Sequence, residues 1–367
     1  MKTVLTIIGI RPDIVRLAFL IKRLDSNPFL NHVVLSTGQH FDDELTEIIY
    51  KDLDLRRPDY QLEMGARGRP YNEQVASLFE TLPPVLALID PDFVITLGDT
   101  NSVLCNFILR REASRLDFKI ARIEAGMRVH SFALPEEGNR KIADCVADYF
   151  FCYTKGNKAN LIKEGKNPDN IFIVGNTIKE PCEYFINKYA LFSQEKKESY
   201  ILADIHREEN LTIDRLTWIL RELQFLSAKY RKPVKLLNYK RTISFMMMNK
   251  IDFSFCELED LKNYSDYLHL QFHSFFTFSD SGSAAEECPL IWTKLIVPRE
   301  ETERPESVES KCCVHIKREE GLVSWQRERQ KRKIFEYLEN YDPDINWIGD
   351  GNTSRRIAAK IDTLVNE

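Results

Sequence analysis

Acidic residues follow two neighbouring strand patterns in the middle of this 367-residue chain. The apolar run at 93–97 leads into GDTN, which contains Asp99, and the run at 119–123 leads into EAG, which begins with Glu124. A third acidic cluster, PEEG, contains Glu136 and follows a short loop. Ligands of open α/β sheets bind outside the carboxyl ends of the strands, so we expect these carboxylates to meet in one crevice. Carboxylates grouped in this way can act as acids and bases on a bound substrate.

Each of these carboxylates taken alone is also typical of a helix N-cap or of a solvated surface. The grouping favours a site, because Arg128 and Arg140 follow the same strand ends closely in the sequence. We therefore assign both arginines to substrate binding.

A histidine and two further arginines also follow strand patterns. His206 comes after a strand and before a charged, capped helix, where an imidazole can donate to a phosphate or transfer a proton. Arg11 and Arg16 flank the first strand–helix turn, and the planar guanidinium group suits phosphate. A structural histidine and two solvated arginines are the alternatives.

The candidate phosphate-binding loop is the sequence DSGS at 280–283. Gly282 allows close approach of a ligand to the backbone, and Ser281 and Ser283 flank it. Glu287, further along, can accept hydrogen bonds from ribose hydroxyls. An ordinary turn is the alternative. The chain contains neither GxGxxG nor GxxxxGK[ST], so nicotinamide and P-loop chemistry lack their motifs.

Composition limits the possible partners. Hydrophobic residues make up 43% of the chain, charged residues 29%, and the net charge is −5, which predicts a soluble protein that binds no nucleic acid. No apolar run has the length of a membrane span, and the eight scattered cysteines favour reduced thiols in the cytoplasm. His269 and His273 have HxxxH spacing without the glutamate of HExxH, and the residues between them look strand-like, so we expect no metal site.

The order of elements predicts an α/β fold with two domains. Strand and helix patterns alternate from residue 3, and the alternation restarts after Asn176, which indicates parallel sheets covered on both faces. We predict doubly wound, Rossmann-like domains at 1–176 and 177–350 that face each other across a cleft. An amphipathic helix in 351–367 is expected to pack back onto the first domain.

Three local patterns give more specific predictions, and one region gives none. The helical pattern at 72–88 is expected to kink or break at Pro83-Pro84. A new helix is expected to begin near Arg140, which leaves Glu136 in a loop. The region 240–260 shows no clear pattern, and Met246–Met248 are expected in the core.

Together these motifs carry a resemblance to a known family. The chain contains, in one order, GIRPDIVRL, TGQH, GDTNS, IEAGMR, PEEGNRK, VGNT, HREEN, SDSGSAAEE and ETERPE. In this it resembles the non-hydrolysing UDP-N-acetylglucosamine 2-epimerases. The resemblance implies a GT-B type fold, a homodimer and a UDP-sugar substrate. It also implies inversion of C2 by anti elimination of UDP and syn re-addition, without a cofactor or a metal.

The resemblance also implies roles for particular residues. It assigns catalysis to Asp99, Glu124, Glu136 and His206. It assigns substrate binding to Arg11, Arg16, Tyr267, Ser281, Gly282, Glu287 and Arg304, with Tyr267 near the uracil and Arg304 near the diphosphate. The chain departs from the family pattern at Ile10, Asp13, Gly138 and Ser283. It also lacks the family's HPRT histidine, which puts a second, activating UDP-sugar site in doubt, although Gln39 and His40 are present.

The sugar stays open at this point. GDTNS resembles the branch that acts on UDP-6-deoxy-L-hexosamines, whereas ETERPE resembles the UDP-N-acetylglucosamine branch. The predicted function is a UDP-N-acetylhexosamine 2-epimerase that supplies polysaccharide synthesis. The alternatives are a hydrolysing 2-epimerase, a catalytically silent nucleotide-sugar-binding protein and a GT-B glycosyltransferase.

Overall fold

The computed structural model describes residues 1–39, 43–129, 131, 134–318 and 324–366, with the backbone alone for residues 43–45, 67 and 324–326. His40 lies outside the described residues. The chain divides into two compact units: unit 1 comprises Met1–Pro181 and Ile348–Glu367, and unit 2 comprises Cys182–Trp347.

Unit 1, over the residues described, contains a seven-stranded parallel sheet in the order β3-β2-β1-β4-β5-β6-β7. Its strands are β1 (Lys2–Ile8), β2 (Leu30–Ser36), β3 (Tyr60–Gln61), β4 (Phe93–Leu97), β5 (Lys119–Ile123), β6 (Tyr149–Cys152) and β7 (Ile171–Ile173). Between them lie the helices α1 (Arg11–Asp25), α2 (Asp43–Asp52), α3 (Tyr71–Ile89), α4 (Cys105–Leu116), α5 (Pro135–Val146) and α6 (Lys155–Lys163). The chain passes from unit 1 to unit 2 within α7 (Lys179–Lys188).

Unit 2, within its described part, contains a six-stranded parallel sheet in the order β10-β9-β8-β11-β12-β13. Its strands are β8 (Tyr200–Asp204), β9 (Val234–Leu237), β10 (Cys256–Glu259), β11 (Ser274–Ser279), β12 (Leu295–Pro298) and β13 (Val314–Ile316). Its helices are α8 (Ile213–Tyr230), α9 (Lys240–Met248), α10 (Tyr264–His273), α11 (Ala284–Leu290), α12 (Pro305–Glu309) and α13 (Ser324–Glu339).

The last helix, α14 (Thr353–Val365), belongs to unit 1 and packs against α1. The side chain of Asn27 donates to Oδ1 of Asp362 on α14, over 3.1 Å. Ile357 and Ile361 on α14 are fully buried. Burial of this apolar face stabilises a helix that has no sheet strand of its own.

The central strands explain why both sheets form. All five residues of β4 and all five residues of β8 are buried. Helices cover both faces of a parallel sheet, so the side chains on both sides of a central strand are shielded from water. The predicted α/β class with two doubly wound sheets is confirmed. Within the described part of the chain, none of the helices has the length and apolar character needed to cross a bilayer.

One helical prediction in unit 1 is wrong, and a second is wrong in part. Helix α5 begins at Pro135, not near Arg140, so Glu136 lies in a first helical turn and not in a loop. Proline is favoured at the first helical position because it needs no N–H partner there. Helix α3 continues through Pro83 and Pro84 without the predicted break, while the predicted kink stays a prediction. The missing N–H groups would have bonded the carbonyls of Phe79 and Glu80, and these residues are exposed to water, which can replace the donors.

Unit 2 corrects two further predictions. The segment between His269 and His273 is helical, as part of α10, and not strand-like. Met246 is buried on α9, but Met247 and Met248 are 67% and 75% exposed, because a helix turns successive residues onto different faces. The unassigned region 240–260 contains α9 and β10.

Candidate active site

Asp99 is fixed at the carboxyl end of β4 by an arginine from α5. Arg140 donates from Nε and Nη2 to Oδ2 of Asp99, over 3.1 and 2.5 Å. The amide of Asn139 donates to the backbone oxygen of Asp99 over 2.9 Å. Arg140 itself is buried and also contacts Oε2 of Glu137, at 3.3 Å. The structure therefore brings two predicted residues, Asp99 and Arg140, into direct contact, and the guanidinium stabilises the ionised carboxylate.

Glu124 occupies a strained backbone position directly after β5. Its φ angle is 64°, in the left-handed region that most side chains avoid. Asp90 and Asp117 also have positive φ, but they end helices, where this conformation is common. A non-glycine residue in this region at a strand exit costs about 1–3 kcal/mol and is typical of functional sites.

Arg16 lies next to Glu124. Its Nη1 is 3.9 Å from Oε1 of Glu124 and donates to Oδ1 of Asn176 over 3.3 Å. Arg16 is 5% exposed, and the side chain of Glu124 is 10% exposed. The two predicted residues are thus together at the sheet edge, and Asn176, which follows β7, holds the arginine there.

A further carboxylate, Asp13, was not among the predicted site residues. Its Oδ2 accepts from the backbone N–H groups of Gly9 and Ile10, over 2.9 and 3.0 Å. A Cβ atom at Gly98 would lie 3.3 Å from Oδ1 of Asp13 and 4.0 Å from Oε2 of Glu124, so both carboxylates border this glycine.

Burial raises the pKa of Asp13 to about 7, against the two backbone donors, which lower it. The charges of Glu124 and Asp99 act in the same direction as burial. Asp13 is therefore partly protonated near neutral pH, beside two carboxylates that the sequence predicted as catalytic. A single aspartate in a first helical turn gives no signal for this, since the turn alone explains its presence.

The GDTNS loop is fixed by Gln39. Oε1 of Gln39 accepts from the backbone N–H and the hydroxyl of Ser102, over 3.0 and 2.6 Å, and from the hydroxyl of Thr100 over 3.0 Å. A Cβ at Gly9 would lie 2.4 Å from Oγ of Ser102, so a glycine directly after β1 lets this loop approach. Gln39 thus orients the loop that carries Asp99.

Glu136 and Arg11 lie in the first turns of α5 and α1, the helices that follow β5 and β1. Glu136 is half-buried in the first turn of α5. Arg11 begins α1 and lines a cavity of about 40 Å³ together with Tyr50 and Arg57.

Arg128 does not join the other predicted residues. Its Nη1 is 2.8 Å from Oδ2 of Asp144, and its Nε and Nη2 donate to the two carboxylate oxygens of Glu164, over 2.8 and 2.7 Å. Its side chain is fully buried. Asp144 also contacts Arg122, whose Nη2 donates to the backbone oxygen of Gly98 over 2.8 Å. This geometry gives Arg128 a structural role, and the predicted substrate contact stays a prediction.

In unit 2 His206 faces two buried carboxylates. Its Nδ1 is 3.0 Å from Oδ1 of Asp204, the last residue of β8, and 3.4 Å from Oδ1 of Asp280. Asp280 also accepts from the backbone N–H groups of His206 and Arg207, over 3.0 and 3.1 Å, and from the amide of Asn210 over 2.8 Å. Asp280 therefore fixes the turn after β8.

Tyr267 belongs to the same group as His206 and Asp204, and its ring is packed against neighbouring side chains. Its hydroxyl donates to Oδ2 of Asp204 over 2.6 Å, and its ring packs against the cluster of Tyr200, Leu202 and Leu237. The predicted contact with uracil stays a prediction, and the geometry assigns Tyr267 a second role as a donor to Asp204.

The DSGS loop approaches a group of charged side chains. A Cβ at Gly282 would lie 2.6 Å from both Nη1 of Arg304 and Oε1 of Glu303, and 3.2 Å from Nη2 of Arg207. Arg304 is 6% exposed; its Nε donates to Glu286 over 2.7 Å, and its Nη1 contacts Glu303. The glycine is required by this close approach, and two guanidinium groups beside it suit an anion.

Two neighbours of this loop were missed by sequence reasoning. Arg207 is 3.6 Å from Glu303, and Arg299, fully buried, bridges Glu303 and Glu209 at 2.9 and 2.7 Å. Their positions follow from pairing of strands distant in sequence, so spacing gave no indication of them.

The remaining predicted residues lie around the same turn. Ser281 and Ser283 contact each other through their hydroxyls, at 3.1 Å, and Glu287 is buried on α11. Among the residues that the structure describes, no three His, Cys, Asp or Glu side chains are grouped so as to hold a metal ion.

The chain contains two Rossmann-like units, which define a protein of the GT-B class. Unit 1 has carboxylates at its strand ends, and unit 2 has arginines around a glycine turn. A sequence model of the family described as UDP-N-acetylglucosamine 2-epimerase matches residues 22–362. The chain belongs to this family, as the sequence predicted, and the predicted GT-B type fold is confirmed by it.

Three relatives show the extent of the likeness. UDP-N-acetylglucosamine 2-epimerase of Methanococcus maripaludis is 31% identical over 96% of each chain. UDP-2,3-diacetamido-2,3-dideoxy-D-glucuronate 2-epimerase of Pseudomonas aeruginosa is 30% identical over 97% of this chain and 98% of the relative. A crystal structure of Methanocaldococcus jannaschii UDP-GlcNAc 2-epimerase, in complex with UDP-GlcNAc and UDP, has a TM-score of 0.85 and 26% identity, and covers 99% of this chain and 100% of that one.

Proposed function

We propose that the protein is a non-hydrolysing UDP-N-acetylhexosamine 2-epimerase. The observation that carries this proposal is the position of Glu124, a carboxylate with strained backbone that borders Gly98 together with Asp13. A buried group of carboxylates suits the removal of a weakly acidic proton, because a desolvated base is a stronger one. We assign this chemistry to unit 1 and the binding of UDP to unit 2.

The proposed reaction has two steps. A carboxylate removes the proton from C2, the C2–H electron pair forms a C1=C2 double bond, and the C1–O bond breaks with its electrons on UDP. UDP then adds back to C1, and a proton adds to C2 on the same face of the sugar as UDP. This face is opposite to the one from which the first proton was removed, so the configuration at C2 is inverted. Asp99, Glu124 and Glu136 supply the base and the acid in this scheme.

Residues of unit 2 fit the departing diphosphate. Arg304 and Arg207 lie beside Gly282, together with the carboxylate of Glu303, which Arg304 contacts. A guanidinium group binds phosphate oxygens through two parallel donors and keeps its charge at all physiological pH values. His206 adds a third donor in the same unit. These groups stabilise the charge that develops on UDP as the C1–O bond breaks.

The proposed substrate is UDP-N-acetylglucosamine or a UDP-2-acetamido-2,6-dideoxy-L-hexose. The Pseudomonas relative is named for a sugar with a carboxylate at C6, so members of this family differ at that carbon. A pocket that hydrogen-bonds a hydroxyl rejects the analogue without it strongly, whereas an apolar pocket rejects the hydroxyl by only about 10–200-fold. The ratio of kcat/KM for the two substrates therefore decides between them.

The test is incubation of the protein with each UDP-sugar, followed by proton NMR. The proposal predicts the C2 epimer still attached to UDP. Release of UDP with free 2-epimeric sugar would identify a hydrolysing enzyme. Binding of UDP without turnover of either sugar would contradict the proposal and favour a nucleotide-sugar-binding protein, and transfer to an added acceptor would identify a glycosyltransferase.

We also propose that the protein forms a homodimer and that the product of its reaction supplies polysaccharide synthesis. Phe79 on α3 and Phe107 on α4 lie with their ring centroids 5.9 Å apart and are 45% and 46% exposed. Paired exposed aromatic side chains on neighbouring helices are typical of protein–protein interfaces.

A further inference from the structure

A chain of hydrogen bonds links α10 to His206 through a buried carboxylate. The hydroxyl of Tyr267 donates to Oδ2 of Asp204 over 2.6 Å, and that of Ser279 donates to the same oxygen over 2.9 Å. The other oxygen, Oδ1, faces Nδ1 of His206 at 3.0 Å. Asp204 is 1% exposed, whereas the side chain of His206 is 31% exposed. Both oxygens of a fully buried carboxylate are thus satisfied, one by hydroxyls and one by the imidazole.

This arrangement fixes which ring nitrogen of His206 carries a proton. An ionised carboxylate only accepts hydrogen bonds, so Nδ1 must donate. Among the described residues Nε2 has no hydrogen-bond partner, and the partial exposure of the side chain leaves it accessible to a ligand. The ring lies against that of Tyr239, with centroids 4.7 Å apart, which restricts its rotation.

The charges around the imidazole favour its protonated form. Burial lowers the pKa of His206, but the carboxylates of Asp204 and Asp280 outweigh burial and raise the pKa above its usual value. Arg207, the next residue, acts in the opposite direction and is the weaker effect. The pKa of the Asp204 carboxyl is lowered despite its burial, chiefly by the charge of His206 and its hydrogen bond, and further by the donors from Tyr267 and Ser279.

We propose that Asp204, supported by Tyr267, is a positioning residue that keeps His206 as an imidazolium with its Nε2–H available to the diphosphate. The inference rests on the proposed function, in which UDP binds to unit 2, and it adds two residues that the predicted catalytic set lacked. In this arrangement Nδ1–H is held by Asp204, and Nε2–H donates to the oxygen that takes up charge when UDP departs. His206 then acts as a cation and a donor at this stage, and not as a base.

Two variants act on the carboxylate with opposite sign. In Asp204→Asn the charge is removed, the amide oxygen still accepts from Tyr267 and Ser279, and the amide NH₂ group faces Nδ1, which favours a neutral imidazole with its proton on Nε2. In Tyr267→Phe the carboxylate loses one donor and keeps its charge, so it becomes a stronger acceptor for His206. The matched control is Asp260→Asn, which removes an exposed charge of unit 2 outside this group.

The first measurement is a pH titration of ¹⁵N-labelled histidine by NMR without substrate, with the His206 signals assigned by their loss in His206→Asn. We expect the titration of His206 to move to lower pH in Asp204→Asn and to move to higher pH or stay in Tyr267→Phe. The control should leave it unchanged. A titration of His206 at the wild-type pH in Asp204→Asn would overturn the inference.

The second measurement is the affinity for UDP by calorimetry at pH 6 and pH 8. At pH 8 Asp204→Asn should bind UDP about 10-fold or more weakly than the wild type, because a charge-assisted hydrogen bond is lost, with a smaller difference at pH 6. The value of kcat should fall by about 100-fold, the lower end of the contribution of a positioned acid–base group. Equal loss of affinity at both pH values would indicate a purely structural role and would contradict the inference.

These readouts separate the inference from the proposed function. If the wild type inverts no sugar, the proposed function fails, while the titration of His206 and the pH dependence of UDP binding still decide whether Asp204 sets the charge on the imidazole. If the wild type inverts C2 and neither readout changes in Asp204→Asn, the proposed function stands and the inference fails.

Discussion

Arg140 donates two hydrogen bonds from one guanidinium group to a single oxygen of Asp99, over 3.1 and 2.5 Å. The contact joins α5 to the end of β4, so the position of the carboxylate depends on a helix that begins 36 residues later in the chain. The guanidinium group stabilises the ionised form of Asp99 through two charge-assisted hydrogen bonds to Oδ2. The predicted acid–base chemistry of unit 1 depends on this arrangement.

The first prediction is that removal of the charge of any one of three carboxylates lowers turnover without unfolding the protein. Asp99→Asn, Glu124→Gln and Glu136→Gln should each lower kcat by about 10²–10⁴-fold, the range of positioned acid–base groups. None of the three side chains belongs to the apolar core. Steady-state kinetics and circular dichroism check both statements, with the exposed Glu73→Gln as the control. A variant with nearly wild-type kcat would remove that residue from the catalytic set.

The second prediction concerns the dependence of stability on pH. Because the pKa of Asp13 is raised in the folded protein to about 7, from 3.8 in the unfolded chain, the native state prefers the protonated acid. That contribution to stability is full at pH values below about 4 and is lost as the pH rises through about 7. Asp13→Asn mimics the protonated acid and should therefore gain stability relative to the wild type over this range, by at most about 1.4 kcal/mol per pH unit.

Urea unfolding at pH 5, 6, 7 and 8 measures this difference. The exposed Asp169→Asn is the control and should track the wild type at every pH. A constant difference between the wild type and Asp13→Asn from pH 5 to pH 8 would show that Asp13 is already ionised across this range.

The sequence predicted the strands that carry the candidate site residues, but it did not predict the side-chain contacts between distant parts of the chain. Asp99 and Glu124 were found because an apolar strand followed by polar residues is a local pattern. Asp13 and Asp204 were missed because their surroundings come from strand order and from distant residues. Tyr267, for example, lies 63 residues from Asp204 in the chain. No local pattern encodes that distance.

Three further features show what local sequence patterns do and do not reveal. Arg128 is adjacent to a strand exit like the other arginines, but only the fold shows that Asp144 and Glu164 occupy its guanidinium group. The start of α5 was available from the sequence, because Pro135 at the first helical position is a recognised signal. The exposure of Met247 and Met248 follows from helical periodicity, which an apolar run of three residues is too short to reveal.

The third prediction tests the close approach at the DSGS loop. In Gly282→Ala the new methyl group would lie 2.6 Å from Nη1 of Arg304 and from Oε1 of Glu303, so these buried side chains must move. We expect the affinity for UDP to fall by about 10–100-fold, which is about 1.4–2.8 kcal/mol. Calorimetry measures this, with Gly138→Ala as the control, since no atom of the described residues lies within 4 Å of a Cβ there. Equal affinity in Gly282→Ala and the wild type would place the diphosphate elsewhere.

The fourth prediction concerns the exposed aromatic pair of unit 1. The double variant Phe79→Ser, Phe107→Ser should sediment as a monomer where the wild type sediments as a dimer, because the buried aromatic area at the contact is lost. Phe29→Ser, at a residue that is 78% exposed, is the control and should remain dimeric. A dimeric double variant would place the interface on another surface, and a monomeric wild type would contradict the proposed homodimer.

The fifth prediction concerns the C2 proton itself, and one experiment tests it most directly. The protein is incubated with UDP-N-acetylglucosamine, and in parallel with the 6-deoxy-L-hexose substrate, in deuterium oxide, and the epimerised UDP-sugar is analysed by proton NMR and mass spectrometry. Removal of the C2 proton by a carboxylate that exchanges with solvent predicts deuterium at C2 of the inverted product and none at the other carbon-bound positions. An inverted product that keeps protium at C2 would contradict the elimination mechanism, and with it the role assigned to Asp99, Glu124 and Glu136.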